Sequence, residues 1–82
     1  MQIRYFAWLR ERVGAAAEEV DPGEAATAAE LIEVLRARDP RYAAAFEDIS
    51  AVRVAIDQEM AALETPIRGA REIAFFPPVT GG

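Results

Sequence analysis

The part of this 82-residue sequence with the clearest chemical potential is its ending, Pro77-Pro78-Val79-Thr80-Gly81-Gly82. Proline favours extended backbone, and glycine lacks a Cβ, so the last two residues can pass through a channel too narrow for other residues. We therefore expect a projecting tail that carries the Gly82 carboxylate into the buried site of an enzyme. Two terminal glycines arise by chance in roughly 0.5% of chains, since glycine makes up about 7% of residues. A frayed end is the alternative.

The carboxylate at the end of such a tail is a poor electrophile, so another enzyme must first convert it to a mixed anhydride, most simply with ATP. The sequence has no His, no Cys and no Lys, and its nine positively charged side chains are all Arg. The usual general base, thiol nucleophile and Schiff-base amine are therefore missing. We expect no side-chain active site, no bound cofactor and no metal site, and a chain that serves other enzymes as substrate and reagent.

Composition limits the size of the fold and the classes of partner. A chain of 82 residues forms one domain, which buries only about 60% of the surface that its unfolded chain exposes. The net charge of −5 opposes binding to phosphate backbones and anionic lipids, and no apolar run is long enough to span a bilayer. The first residues lack the apolar region of a signal peptide. We expect a cytoplasmic protein with neither nucleic acid nor membrane as a partner.

The N-terminal residues predict a strand. Residues 2–6 alternate, with Ile3 and Tyr5 on one face and Arg4 and Phe6 on the other. This period of two is typical of a half-buried strand. The next elements that we expect are helical turns at Leu9–Val13, ended by Gly14, and a short strand at Glu18–Val20.

The main helix is predicted from its start signal and its apolar face. Thr27 is followed three residues later by Glu30, the spacing of a capping box, after the turn signal Asp21-Pro22-Gly23. The helix is expected from Ala28 to near Asp39-Pro40. Its apolar positions recur at helical spacing and comprise Leu31, Ile32, Val34 and Leu35.

The second half of the chain predicts one more helical turn and three strands. Alternation of apolar and polar residues indicates the strands, and Asp57-Gln58 and Pro66 interrupt them. The elements expected are a turn of helix at Tyr42–Phe46 and strands at Val52–Ile56, Met60–Leu63 and Glu72–Phe76. Strands near both ends of the chain and one capped helix between them predict a single α+β domain.

Two aromatic residues are predicted to lie outside the core. Phe6 shares a strand face with Arg4, and Phe76 shares one with Glu72, whereas the opposite faces are apolar. Exposed aromatic residues near each other would form a binding patch. The alternatives are a second layer of structure that covers them or an error in the predicted register. Trp8 is interpreted as structural.

The ending from Glu72 to Gly82, Glu-Ile-Ala-Phe-Phe-Pro-Pro-Val-Thr-Gly-Gly, resembles that of the molybdopterin synthase small subunits. These are ubiquitin-like sulfur carriers of molybdenum-cofactor synthesis. The resemblance extends to Tyr5-Phe6-Ala7 and Arg10-Glu11 and to the order of the elements, so it covers nearly the whole chain. It implies a β-grasp fold, an α+β architecture whose mixed sheet packs on one main helix. The expected division is a domain over 1–76 and an extended tail over 77–82.

The resemblance also implies a reaction at Gly82. An adenylating activating enzyme would use ATP to adenylate its carboxylate, and a sulfur donor would then replace AMP to give a thiocarboxylate. The tail, Pro77 to Thr80 followed by Gly81, would enter the large subunit of the synthase. There the terminal sulfur would attack a cyclic pyranopterin monophosphate, with two deliveries for each dithiolene. A heterotetramer of two small and two large subunits is implied.

Positions that match the partner-binding surface of the family are Phe6, Arg10, Met60 and Phe76. Two departures from the family's pattern are visible. Asp57 stands where Asn is common, and little effect is expected because both residues tolerate tight turns. Gly69-Ala70-Arg71 replaces a stretch that is commonly acidic, so the turn there is expected to be rebuilt.

Two other functions are kept open, together with a different destination for the sulfur. The chain could modify proteins by joining its tail to a target amine, or it could be an interaction domain with an incidental Gly-Gly end. A sulfur carrier could also serve another pathway, such as thiamine synthesis or tRNA thiolation. The acidic pairs Glu18-Glu19 and Glu47-Asp48 are interpreted as solvated surface, because no His or metal-ligand cluster supports them.

Overall fold

The computed structural model describes residues 1–78 and contains a sheet, three helices and a 3₁₀ turn. The strands alternate with helices in the first half of the chain and follow one another in the second half. The elements are β1 (Gln2–Tyr5), α1 (Ala7–Val13), β2 (Ala17–Glu19), α2 (Ala28–Arg38), α3 (Pro40–Ala45), the 3₁₀ turn (Ile49–Ala51), β3 (Arg53–Ile56), β4 (Glu59–Ala61) and β5 (Glu72–Phe76).

The five strands form one mixed sheet in the order β2-β1-β5-β3-β4. The central pair, β1 and β5, is parallel, with Ile3 opposite Ile73 and Tyr5 opposite Phe75. The other pairs are antiparallel. The first and last strands therefore lie side by side at the centre of the sheet, which confirms the predicted β-grasp architecture.

Helix α2 begins at the predicted capping box. Its N-cap, Thr27, accepts a hydrogen bond through Oγ1 from the backbone N–H of Glu30, at 3.2 Å. The Glu30 carboxylate in turn accepts from the backbone N–H of Ala26, at 3.4 Å. These bonds satisfy N–H groups that a helix start leaves without a partner in the helix. The helix is thus fixed at the point where its apolar face begins.

The core lies between α2 and the inner face of the sheet, with α1 and α3 closing its ends. Phe75 is central to it, because the Phe46 ring packs against Phe75 edge-to-face with 5.1 Å between ring centroids. The Tyr5 ring stacks on the other side at 6.2 Å. The core residues with no exposed surface are Ile3, Leu9, Ala28, Leu31, Ile32, Leu35, Ala45, Phe46, Ile73 and Phe75.

The short elements begin or end within two residues of the predicted positions. The first strand ends at Tyr5 because Phe6 is the N-cap of α1, and α1 ends at Gly14, whose φ of 88° forms a left-handed cap. Strand β2 starts one residue earlier than predicted, at Ala17. Strand β4 covers Glu59–Ala61, the residues that have partners in β3. The interpretation of Trp8 as structural is supported, since this half-buried ring packs against the core.

Candidate partner-binding face

The outer face of the sheet carries the two aromatic residues singled out in the sequence. Phe6 is 45% exposed and Phe76 is half-buried, whereas their neighbours Tyr5 and Phe75 point into the core. The chain reverses direction at Ala7, whose φ of 54° lies in the left-handed region that costs alanine about 1–2 kcal/mol. This conformation turns the chain from β1 into α1 directly after Phe6.

Phe6 and Phe76 lie next to each other and line one shallow groove. The backbone N–H of Phe6 donates to the Phe75 carbonyl at 3.1 Å, which fixes β1 and β5 side by side at this end of the sheet. The small side chains of Ala55 and Ala74 also line the groove, and Pro77 lies at its end. The result is an apolar surface that begins where the tail leaves the sheet.

Arg10 and Met60, the other predicted interface residues, lie on either side of this surface. Arg10 is exposed one helical turn after Phe6, and the two residues line a second recess. Met60 is 69% exposed and lies opposite Ala55, two strands from Phe76. The structure therefore places all four predicted side chains on one side of the molecule, with Met60 at the edge of the sheet.

The tail is described only at its start. Pro77 and Pro78 are half-buried, and Pro77 lines the groove beside Phe76. The predicted site residues Val79, Thr80, Gly81 and Gly82 lie outside the described residues.

The sequence interpretation did not single out Arg53, Ala55 and Ala74 as parts of this face. Arg53 is opposite Phe76 in the sheet, and Ala55 is opposite Ala74. The alternation in β3 already separated Arg53 and Ala55 from its core-facing valines, so the signal was present. Ala74 was expected on the outer face and does line the groove, yet it is only 8% exposed. Its neighbours on adjacent strands cover so small a side chain.

Glu18 was expected to be solvated surface, and that expectation is wrong. Its carboxylate accepts hydrogen bonds from the hydroxyls of Tyr5, at 2.9 Å, and of Tyr42. Arg41 donates to the Tyr42 hydroxyl at 3.2 Å and lies 3.9 Å from the Glu18 carboxylate. Burial raises the pKa of both tyrosine hydroxyls, and the bonds to Glu18 raise it further. We call these four residues the tyrosine cluster, and they join β1, β2 and α3.

The two departures from the family's pattern lie in neighbouring turns that hydrogen bonds connect. Asp57 has a left-handed φ of 49°, and its Oδ1 accepts from the backbone N–H groups of Arg71, at 2.8 Å, and Glu72, at 3.0 Å. Gly69 supplies a φ of 79° in the preceding turn. The turn is closed by a hydrogen bond from the Ala70 N–H to the Ile67 carbonyl, at 3.0 Å. The Gly69-Ala70-Arg71 stretch therefore forms an ordered entry into β5.

Residues 1–78 show neither a metal-binding cluster nor a membrane-spanning helix. That part of the chain contains no group of three or more His, Cys, Asp or Glu side chains placed to hold a metal ion. Within the same range, none of the helices has the length and hydropathy that crossing a bilayer requires.

The fold and this face define a class of protein. A mixed sheet with parallel central strands, packed on one main helix and exposing an apolar surface beside the end of the chain, is that of a ubiquitin-like β-grasp protein. The model of the ThiS family matches residues 3–82. The chain therefore belongs to the ThiS family.

Comparisons with individual proteins agree with that assignment. The chain is 37% identical over 82 residues to the molybdopterin synthase sulfur carrier subunit of Escherichia coli. The alignment covers 100% of this chain and 99% of that one. The chain is 38% identical to the subunit of the same name from Haemophilus influenzae, with the same coverage. The crystal structure of small archaeal modifier protein 1 from Haloferax volcanii superposes with a TM-score of 0.70 at 31% identity, covering 96% and 97% of the two chains.

Proposed function

We propose that this chain is the sulfur carrier subunit of molybdopterin synthase. The observation that carries the proposal is its similarity, over the full length of both chains, to two proteins of that name. The groove beside Pro77 supports it, because a tail that delivers a reactive group needs a docking surface at its base. The chain is then a sulfur-donating subunit whose reactive atoms are those of Gly82.

The chemistry of the proposed cycle follows from the weakness of a carboxylate as a nucleophile. An activating enzyme joins the Gly82 carboxylate to AMP, with release of pyrophosphate from ATP. A sulfur donor displaces AMP and leaves a thiocarboxylate. Its sulfur attacks a carbon of the cyclic pyranopterin monophosphate, and a carbon–oxygen bond at that carbon breaks. Water then cleaves the acyl–sulfur bond, so the sulfur stays on the substrate and the carboxylate is restored. Two such deliveries supply the two sulfur atoms of a dithiolene.

Apart from Gly82, the residues of this chain position that reaction and take no part in it. Phe6, Phe76, Arg10 and Met60 bind the large subunit in the proposal, and Pro77 to Thr80 hold the chain extended towards Gly81 and Gly82. The partners are the large subunit, the activating enzyme and the sulfur donor, in a cytoplasmic heterotetramer of two small and two large subunits. ATP is used by the activating enzyme, and the chain itself binds no cofactor.

The intact mass of the protein from its native cells tests this proposal, measured under non-oxidising conditions with fragmentation of the C-terminal peptide. We expect a population heavier by the difference between sulfur and oxygen, with the gain located at Gly82. A chain lacking Gly82 is the matched control and should never gain that mass. The proposal fails if the terminus stays a plain carboxylate even when an activating enzyme and a sulfur donor are co-expressed.

A second candidate function is protein modification, which the similarity to small archaeal modifier protein 1 favours. In that case the activated tail would form an isopeptide with a lysine of a target protein. The chain has no lysine of its own, so Lys-linked polymers of it cannot form. Stable conjugates with other proteins, found by mass spectrometry of cells that contain the activating enzyme, would support this function.

A further inference from the structure

Charge is distributed unevenly over the outer face of the sheet. The row of side chains beside the tail consists of Arg53 in β3, Phe76 opposite it in β5, and Phe6, which follows the end of β1 and lines the same groove as Phe76. Gln2 lies opposite Glu19 and Glu72 in the row at the other end of β1. The chain as a whole has a net charge of −5. Arg53 therefore places a positive charge beside the tail, although the molecule as a whole is negatively charged.

Two guanidinium groups flank the aromatic pair. Arg10 is one helical turn from Phe6 and lines a recess with it. On the other side, Arg53 lies opposite Phe76, and its guanidinium donates to the carbonyls of Ser50, at 3.2 Å, and Val52, at 3.3 Å. These bonds hold Arg53 in place, so ordering it on binding costs little side-chain entropy.

Neither of these two arginines is neutralised by the part of the molecule that the structure describes. The ion pairs among residues 1–78 involve the amino terminus, Arg4, Arg36 and Arg41, and none includes Arg10 or Arg53. Arg4, on the same face, lies 3.8 Å from the Glu72 carboxylate. Arg12, Arg38, Arg68 and Arg71 are likewise outside these ion pairs, but they do not flank the aromatic pair. Beside Phe6 and Phe76, the arginines without an ion pair among the described residues are Arg10 on one side and Arg53 on the other.

We propose that Arg10 and Arg53 each pair with a carboxylate of the synthase large subunit, and that these two ion pairs set the orientation in which the tail enters it. This inference rests on the proposed function, because it specifies the surface of that partner. Charges at the edge of an apolar contact mainly determine association rate and register, and add less to affinity. Two cations on opposite sides of the contact also fix its rotation, which a single one leaves free.

The large subunit fits this face better than other occupants because of where the tail begins. Pro77 lies in the groove next to Phe76, so a protein that receives the tail must also cover the row between Arg10 and Arg53. A second copy of this chain on the same face would cover the base of the tail and compete with that protein. Self-association through the face is therefore the main competing outcome.

Charge reversal at Arg53 tests the inference, with Arg68 as a matched control. Arg53→Glu and Arg68→Glu change the net charge equally, and both side chains are exposed, but Arg68 lies in the loop before β5 and does not line the face. The measurement is the association rate with the large subunit from the same organism, between roughly 0.05 and 0.5 M salt. We expect salt to slow the wild-type chain and Arg53→Glu to associate about tenfold more slowly at low salt, with a weaker salt dependence. Arg68→Glu should stay within about twofold of the wild type.

The possible results separate this inference from the function on which it rests. Equal rates for Arg53→Glu and Arg68→Glu, in a wild-type chain that does bind, overturn the inference alone. If the wild-type chain does not bind the large subunit at any salt concentration, the proposed function fails and the inference fails with it. A dimer of the free chain that Arg53→Glu weakens, seen by sedimentation, would assign the face to a second copy. Circular dichroism checks whether Arg53→Glu is folded. If it is not, Arg53→Gln takes its place, because it removes the charge, retains a hydrogen-bond donor and should give an intermediate rate.

Discussion

Asp57 joins the turn after β3 to the start of β5 through one carboxylate oxygen. Replacing it with Ala removes the acceptor for the N–H groups of Arg71 and Glu72. It also leaves a residue with no polar side chain in the left-handed region, at a φ of 49°. We expect Asp57→Ala to lower the free energy of unfolding by about 1–2 kcal/mol. Asp57→Asn keeps the oxygen and should stay within about 0.5 kcal/mol of the wild type. Urea unfolding measures both, and an equal loss in the two variants would mean that the charge of Asp57 is what matters.

Phe75 and Phe76 are adjacent in the sequence but face opposite sides of the sheet. Phe75 is fully buried, so Phe75→Ala should lower the free energy of unfolding by about 3–5 kcal/mol. Phe76 is half-buried on the outer face, and its replacement by Ala should cost less than half of that. Phe76→Ala should instead weaken binding to the large subunit at least tenfold, about 1.4 kcal/mol, if this ring is an interface anchor. Urea unfolding of the two variants and calorimetric titration with the large subunit make the comparison. If Phe76→Ala changed stability but not binding, Phe76 would not be an interface anchor.

The sequence predicted side chains whose surroundings depend on strand alternation and missed those that depend on distant partners. Phe6 and Phe76 could be placed on the outer face because a period of two separates faces without knowledge of the fold. Glu18 could not be placed, because the two hydroxyl groups that it binds are 13 and 24 residues away in the chain. A carboxylate with such partners looks the same in the sequence as one in water.

The tyrosine cluster joins β1, β2 and α3, and its titration reports on whether these elements stay together. Burial and the Glu18 carboxylate raise the pKa of Tyr5 and Tyr42 in the folded chain above the value of about 10 that unfolded tyrosines have. The stability that the cluster adds is therefore present below pH 10 or so and is lost as pH rises towards the folded pKa values. These are the only two tyrosines in the sequence, so phenolate absorbance reports on them alone.

We expect the native protein to show less phenolate absorbance than the chain in denaturant at a pH of about 10.5, because the pKa of both tyrosines is raised in the folded chain. A spectrophotometric titration of the two states makes the comparison. Glu18→Gln is the informative variant, because it keeps an acceptor oxygen but removes the negative charge, and its tyrosines should ionise at a lower pH than those of the wild type. Native tyrosines that titrate like denatured ones would show that the cluster is open in solution.

Element ends were predictable where a local signal fixes them. Thr27 and Glu30 cap α2, and Gly14 ends α1 in the conformation that glycine favours, so both ends follow from short spacings in the sequence. Strands β2 and β4 have no such signal, and their lengths are set by the residues that find partners on β1 and β3. The boundaries of edge strands therefore depend on the assembled sheet, which local sequence patterns do not contain.

In the molecule as a whole, the residues that stabilise the fold are different from those proposed to bind the partner and to carry the reactive group. The core uses the inner face of the sheet and the three helices, whereas the outer face and the first two residues of the tail, Pro77 and Pro78, add little to it. Among residues 1–78, the last fully buried residue is Phe75, two residues before the tail begins. Such a division lets the tail enter another protein while the domain beneath it keeps its structure.

Removing residues 77–82 tests this division directly. The shortened chain keeps every core residue and all of β5, so we expect a free energy of unfolding within about 1 kcal/mol of the full chain, because the half-buried Pro77 and Pro78 contribute little. Urea unfolding followed by circular dichroism gives that comparison. The shortened chain should still occupy the outer face of its partner, and should therefore compete with the full chain for the large subunit, although more weakly. A shortened chain that is unfolded would place the end of the domain inside the tail, whereas one that is folded but does not compete would place all of the binding energy in the last six residues.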